Sequence, residues 1–92
     1  NGSAAVVMSN AEHILFRKSG NGTGTVIIGE DVCDALCKEM RVPYIPHIAV
    51  VLKAQPAPDS LFVRWEDEKG NVLNNKVHLQ PGKTIIAIFE KK

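Results

Sequence analysis

Cys33 and Cys37 are the residues whose type and spacing come nearest to a chemical site. On a helix they would lie one turn apart, and His13 or His47 could join them around a metal ion. Tetrahedral zinc sites usually take a second pair of ligands elsewhere in the sequence, and this chain has no second cysteine pair. Helical spacing also suits a disulfide poorly. We therefore predict no metal site and interpret both cysteines as buried free thiols.

Catalysis by a serine or cysteine nucleophile needs a histidine base that the fold brings close in space. The chain has three histidines, His13, His47 and His78, and none lies in a recognisable catalytic motif. We therefore predict no catalytic residue and no cofactor. A small enzyme or ligand-binding protein stays open as the third functional alternative.

A glycine-rich stretch is the first of two predicted binding regions. Glycines let backbone N–H groups approach a phosphate closely, but the spacing here fits neither common phosphate-binding motif. The stretch precedes a β-branched run and contains an Asn-Gly pair, which is typical of a hairpin turn. We predict a mobile hairpin tip that is a candidate binding loop, formed by Gly20, Asn21, Gly22, Thr23 and Gly24.

The second predicted binding region is the outward face of two strands joined by a turn at residues 67–71, in which Gly70 is predicted to adopt a positive φ. Alternation places Leu61, Val63 and Trp65 toward the core and their neighbours toward solvent. An aromatic residue among charged and amide side chains is a composition found in protein interfaces and in single-stranded nucleic-acid platforms. The predicted surface consists of Phe62, Arg64, Glu66, Asn74, Lys76 and His78.

The elements that would position these residues are one helix and several strands. Residues 13–17 and 25–28 predict a hairpin. Residues 30–41 predict an amphipathic helix, because Cys33, Leu36, Cys37 and Met40 recur at helical spacing and Pro43 would end it. Further strands are predicted at residues 48–52, 61–66, 73–79 and 84–89. Pro81-Gly82 fits the central positions of a type II turn before the last of them.

This order, ββαββββ, predicts an α+β fold: a small, mostly antiparallel sheet or partly closed barrel with one amphipathic helix. Residues 13–92 are predicted to form a single domain. Residues 1–12 are predicted to be a flexible N-terminal segment. Within it, residues 1–7 are interpreted as a vector-derived remnant, with the natural chain beginning at Met8.

Two predicted strands, at residues 48–52 and 84–89, are apolar on both faces, so both faces need covering. One short helix can cover only one of them. Two arrangements stay open: the N-terminal hairpin folds over the second face in a monomer, or a second copy of the chain covers it in a homodimer.

Composition narrows the class of function. The net charge is +1, with eleven basic and ten acidic residues interspersed, so no basic surface for nucleic acid stands out. No apolar run is long enough to span a bilayer. We expect a cytoplasmic, non-enzymatic interaction or regulatory module that binds a protein, with a second copy of itself as one candidate. A nucleic-acid-binding regulator is the alternative, and we expect no membrane partner.

Overall fold

The computed structural model describes residues 13–45, 47, 49–78, 80 and 82–92. Within these ranges the chain forms nine strands and no helix, so the predicted α+β class is wrong. The predicted flexible segment at residues 1–12 lies outside the described residues, as does Pro81 of a predicted type II turn. The strands are β1 (His13–Ser19), β2 (Gly24–Ile28), β3 (Asp31–Cys33), β4 (Glu39–Pro43), β5 (Ala49–Pro56), β6 (Ser60–Asp67), β7 (Val72–Leu73), β8 (Lys76–His78) and β9 (Thr84–Lys91).

The nine strands form two sheets. The larger sheet has five strands in the order β4-β1-β9-β6-β7, and the smaller has four in the order β3-β2-β5-β8. All neighbouring strands are antiparallel except β1 and β9, which run parallel. The sheets do not close into a barrel, so the predicted partly closed barrel is also wrong.

The hydrophobic core lies between the two sheets. Each sheet contributes one face, because side chains alternate along a strand. In β9 the alternation leaves every second residue buried. One cluster joins the buried apolar residues of both sheets: Ile14, Phe16, Val26, Ile28, Cys33, Leu52, Trp65, Ile85, Ala87 and Phe89. This two-layer arrangement replaces the predicted packing of one helix on one sheet.

The segment predicted as a helix forms β3, a turn and β4. Asp31–Cys33 pairs with β2, and Glu39–Pro43 pairs with β1. The helical stripe does not exist, since Leu36 is 91% exposed. A short isolated helix is marginal in water, whereas two strand pairings bury Cys33 and pack Met40 against the core. Tertiary pairing therefore overrides the local periodicity.

The turn between β3 and β4 is closed by a disulfide between Cys33 and Cys37, whose Cα atoms lie 5.2 Å apart. The interpretation of free thiols was based on helical geometry, which this turn does not have. The Asp34 carboxylate accepts hydrogen bonds from the backbone N–H groups of Leu36, at 3.0 Å, and Cys37, at 3.2 Å. Lys18 contacts the Asp34 carbonyl. Partial burial lowers the pKa of Lys18, and the Asp34 charge opposes that shift.

The disulfide changes the expected reactivity of the cysteines. Neither should react with a thiol reagent, in native protein or in denaturant, until a reductant is added, after which two thiols should titrate. Reduction should lower the free energy of unfolding by about 2 kcal/mol, the chain-entropy value for so short a loop. A Cys33→Ser/Cys37→Ser variant is the control and should be insensitive to reductant. Two thiols titrating in denaturant without reductant would contradict the bond.

Candidate interaction surface

The six residues predicted to form one binding surface are divided between the two sheets. The chain that follows the turn at residues 67–71 pairs with β6 only along Val72–Leu73. It then crosses to the smaller sheet, where Lys76–His78 pairs with β5. Lys76 and His78 flank the inward-packed Val77 and therefore face outward from the smaller sheet. Asn74 is exposed in the connection. The predicted strand at residues 73–79 is thus two strands in different sheets.

A bulge in β6 moves Phe62 away from the predicted surface. The register with β9 shifts between Phe62 and Arg64, so an extra residue lies in β6. Phe62 packs against the core, with its ring centroid 5.1 Å from that of Trp65 and 5.6 Å from that of Phe89. Leu61 and Val63, predicted to be core residues, are exposed instead. Of the six predicted residues, Lys76 and His78 share the outer face of the smaller sheet, and Arg64 and Glu66 share one face of the larger sheet.

That face is the outer face of the five-stranded sheet, and it carries most of the partly exposed apolar side chains of β1, β6 and β9. Alternation directs a residue outward wherever its two neighbours in the strand are buried. Ile86 and Ile88 each lie between two buried residues of β9 and are half-buried. Leu61 is 51% exposed at the start of β6. The outer face is formed by Leu15, Arg17, Leu61, Arg64, Glu66, Ile86 and Ile88.

Two rows of residues cross the centre of this outer face. Ile86 lies beside Arg17 of β1 on one side and beside Glu66 of β6 on the other. The next row places Ile88 between Ser19 and Arg64. Each row therefore has an isoleucine at its centre and polar side chains at its flanks, as in an interface with an apolar centre and a polar rim.

The charged side chains on this face differ in whether they form an ion pair. Arg64 Nε contacts Glu66 Oε2 along β6. The other ion pair in the described part of the chain joins Lys83 Nζ and Glu68 Oε1 at 3.6 Å. Arg17 forms neither of these ion pairs, although Glu39 of β4 lies opposite it in the register. A guanidinium outside an ion pair keeps its donors available for another molecule.

The turn after β6 fixes one border of the face. The Asp67 carboxylate accepts hydrogen bonds from the Asn71 side chain at 3.0 Å, the Asn71 backbone N–H at 2.9 Å and the Lys69 backbone N–H at 2.8 Å. These bonds, led by that from the Asn71 side chain, hold the pKa of Asp67 below its ordinary value. Gly70 has a φ of 85°, which confirms its predicted positive φ. The hydrogen bonds of the Asp67 carboxylate are therefore made within its own turn.

The glycine-rich stretch is a packed crossover between the sheets and not a hairpin tip. β1 lies in the larger sheet and β2 in the smaller, so the predicted hairpin between them is wrong. The Asn21 side-chain oxygen accepts a hydrogen bond from the Lys91 N–H at 2.9 Å, and the Thr23 N–H donates to Ser60 Oγ at 3.0 Å. Gly20 and Gly24 pack against Phe89. Backbone groups already bonded within the chain are poor ligands for an anion.

A cleft of about 460 Å³ opens at one end of the two sheets. Its lining is mainly apolar, from the ends of β2, β4 and β5, with Glu30, Asp31 and Lys53 as its charged residues. Histidine, cysteine and serine side chains are absent from the described lining. Across the described ranges, no group of three histidine, cysteine or acidic residues could hold a metal ion. The described lining of this cleft therefore supplies no nucleophile paired with a base.

Sequence reasoning missed Arg17, Leu15 and Leu61 as members of one surface. The sequence did indicate where this surface lies, because residues 84–89 are apolar on both faces and so have an apolar face outside the core. Nothing in the sequence indicated that β1 pairs with β9, and that pairing brings Arg17 beside Ile86. The bulge that turns Leu61 outward also leaves no local pattern.

In comparisons with known proteins, no family model, curated protein or solved structure matches this chain significantly. In the part of the chain that the structure describes, no helix is long and apolar enough to cross a membrane.

Proposed function

We propose that this protein is a non-enzymatic interaction module that binds a protein partner through the outer face of its five-stranded sheet. The observation that supports the proposal is the strip of partly exposed isoleucine and leucine side chains on β9 and β6, flanked by arginine and glutamate. An apolar centre with an Arg-containing rim is the composition of protein interfaces.

The other predicted modes of binding have less support. The loop at residues 20–24 is packed against β9, so binding through a mobile tip is not favoured. The nucleic-acid alternative relied on Phe62, Arg64, Lys76 and His78 acting together. These residues lie in the core layer and on two different outer faces, and a stacking platform needs them on one surface.

We also propose that the protein works in an oxidising compartment. Disulfides persist in such compartments and are rare in the cytosol. The bond between Cys33 and Cys37 is the observation that favours this location over the predicted cytoplasm.

A pair of matched substitutions tests the binding face. Leu61 is 51% exposed on the outer face of the larger sheet, and Val51 is 44% exposed in β5 of the smaller sheet. Both side chains extend into solvent, so Leu61→Lys and Val51→Lys should each change stability by no more than about 0.5 kcal/mol. Leu61→Lys should weaken partner binding at least about tenfold, because it places a charge in the apolar centre.

The measurement is retention of binding proteins from source-cell extract on immobilised wild type and on both variants, quantified by mass spectrometry. A protein retained by wild type and by Val51→Lys, and lost with Leu61→Lys, supports the proposed face. Loss with Val51→Lys alone would place binding on the smaller sheet and contradict the proposal.

A further inference from the structure

Polar groups of the outer face are placed symmetrically about β9, and in the Ile86 row they are opposite in charge. Arg17 and Glu66 lie in the same row on either side of Ile86. Neighbouring strands are about 4.8 Å apart, so each of the two lies about 5 Å from the line of β9. In the next row, Ser19 and Arg64 flank Ile88 in the same way.

We infer that the protein partner of this face is a second copy of the chain, related to the first by a two-fold axis parallel to β9. This inference rests on the proposed function. Such an axis exchanges the two sides of β9, so Arg17 of each copy faces Glu66 of the other. Ile86 packs on Ile86 and Ile88 on Ile88, and Arg64 donates to Ser19. Two-fold symmetry forms each of these contacts twice.

The charges oppose one alternative face-to-face orientation of the two copies. A two-fold axis lying across the strands, along the Ile86 row, would place Arg17 on Arg17 and Glu66 on Glu66. Like charges brought together at an interface oppose association strongly. In the preferred orientation Glu66 accepts from Arg64 of its own chain with one carboxylate oxygen. Its other oxygen receives Arg17 of the second copy.

The size of the face sets the expected affinity. Five strands about 4.8 Å apart, with the longest about 26 Å long, give a footprint of about 500 Å². This lies below the area per partner of standard stable interfaces, which is about 800 Å². We therefore expect a reversible dimer with a dissociation constant of about 10–100 µM.

Charge reversal and mixing test the inference. In Arg17→Glu the two symmetry-related contacts between positions 17 and 66 bring carboxylates together across the dimer, and in Glu66→Arg they bring guanidinium groups together. Each variant alone should have a dissociation constant at least about a hundredfold higher than wild type. An equimolar mixture of the two variants should form a 1:1 heterodimer with nearly wild-type affinity. In that heterodimer, both contacts between positions 17 and 66 again pair opposite charges. Sedimentation velocity from about 1 µM to about 1 mM measures wild type, each variant and the mixture.

A double variant that also changes Glu39 of the neighbouring strand β4 controls for effects of Arg17→Glu within one chain. Glu39 of β4 lies opposite Arg17 in the register, so Arg17→Glu/Glu39→Arg preserves the local charge balance and reverses only the charge facing Glu66. This variant should be monomeric at concentrations where wild type dimerises. Thermal unfolding of every variant checks that each is folded.

Several results would overturn the inference: a wild type that is monomeric throughout, a mixture that stays monomeric, or an Arg17→Glu/Glu39→Arg variant that dimerises like wild type. The proposed function fails on a different result, the loss of a retained protein with Val51→Lys alone, and it stands in one case where this inference fails. If wild type is monomeric, and a protein that wild type retains from extract is not retained by Leu61→Lys, the face binds a partner other than a second copy.

Discussion

Replacing Gly20 by alanine is expected to lower the free energy of unfolding by about 3 kcal/mol or more. Gly20 has a φ of 92°, a conformation that side chains with a Cβ rarely adopt. A Cβ atom there would lie 1.9 Å from the Phe89 carbonyl oxygen. That carbonyl also accepts a hydrogen bond from the Gly22 N–H at 3.1 Å, so the two backbones cannot separate without losing it.

Gly70→Ala is the matched control for Gly20→Ala. Gly70 has a φ of 85°, close to that of Gly20, but a Cβ at Gly70 would meet nothing within 4 Å. It should therefore show only the conformational penalty of about 1 kcal/mol. The difference between the two variants in urea-induced unfolding measures the close packing of the crossover against β9. Equal losses would show that the crossover is as open as the turn at Gly70.

Replacing Phe89 by alanine should cost about 3–5 kcal/mol, because a fully buried ring is removed from the centre of the core. Phe89 is 0% exposed and packs edge-on against Phe62. Urea-induced unfolding measures the loss. Phe62→Ala removes a ring that is only partly buried and should cost less, so the reverse order would contradict the position assigned to Phe89.

A double-mutant cycle extends this prediction to the crossover. A Cβ at Gly24 would lie 2.5 Å from Phe89 Cε1 and 2.6 Å from the Gln55 carbonyl oxygen. Gly24→Ala should therefore be destabilising, and less so in a Phe89→Leu background, since leucine lacks the atom that the new methyl group meets. A coupling energy of about 1 kcal/mol or more is expected. Strictly additive losses would show that the Gln55 carbonyl alone limits the space at Gly24.

The strands rich in β-branched residues could be predicted from the sequence, because their patterns are local. Residues 25–28 and 84–89 lie within observed strands, and the turn at Gly70 was predicted with the right backbone conformation. The partners of these strands could not be predicted. The Asn-Gly pair at residues 21–22 is typical of a hairpin, yet Gly22 packs against the Glu90 backbone of β9 in a crossover between the sheets.

The helix prediction failed because one apolar spacing fits two structures. Cysteines four residues apart fit a helical stripe, and they also fit a turn closed by a disulfide. Only the pairing of β3 with β2 and of β4 with β1 distinguishes them, and those partners are distant in sequence. The predicted surface failed in part for a similar reason: one added residue in β6 turns Phe62 inward and Leu61 outward.

The position of β9 between β1 and β6 determines the order in which the larger sheet can be completed during synthesis. β1 is the first described strand to leave the ribosome and β9 the last, yet they are direct neighbours. Until β9 emerges, the larger sheet can exist only as two separate pairs, β4 with β1 and β6 with β7. The buried side chains of both pairs then lack the strand that joins them. Native pairing in the larger sheet therefore cannot be completed before β9 has emerged, and the long-range pairing makes folding slow compared with a helical protein of this size.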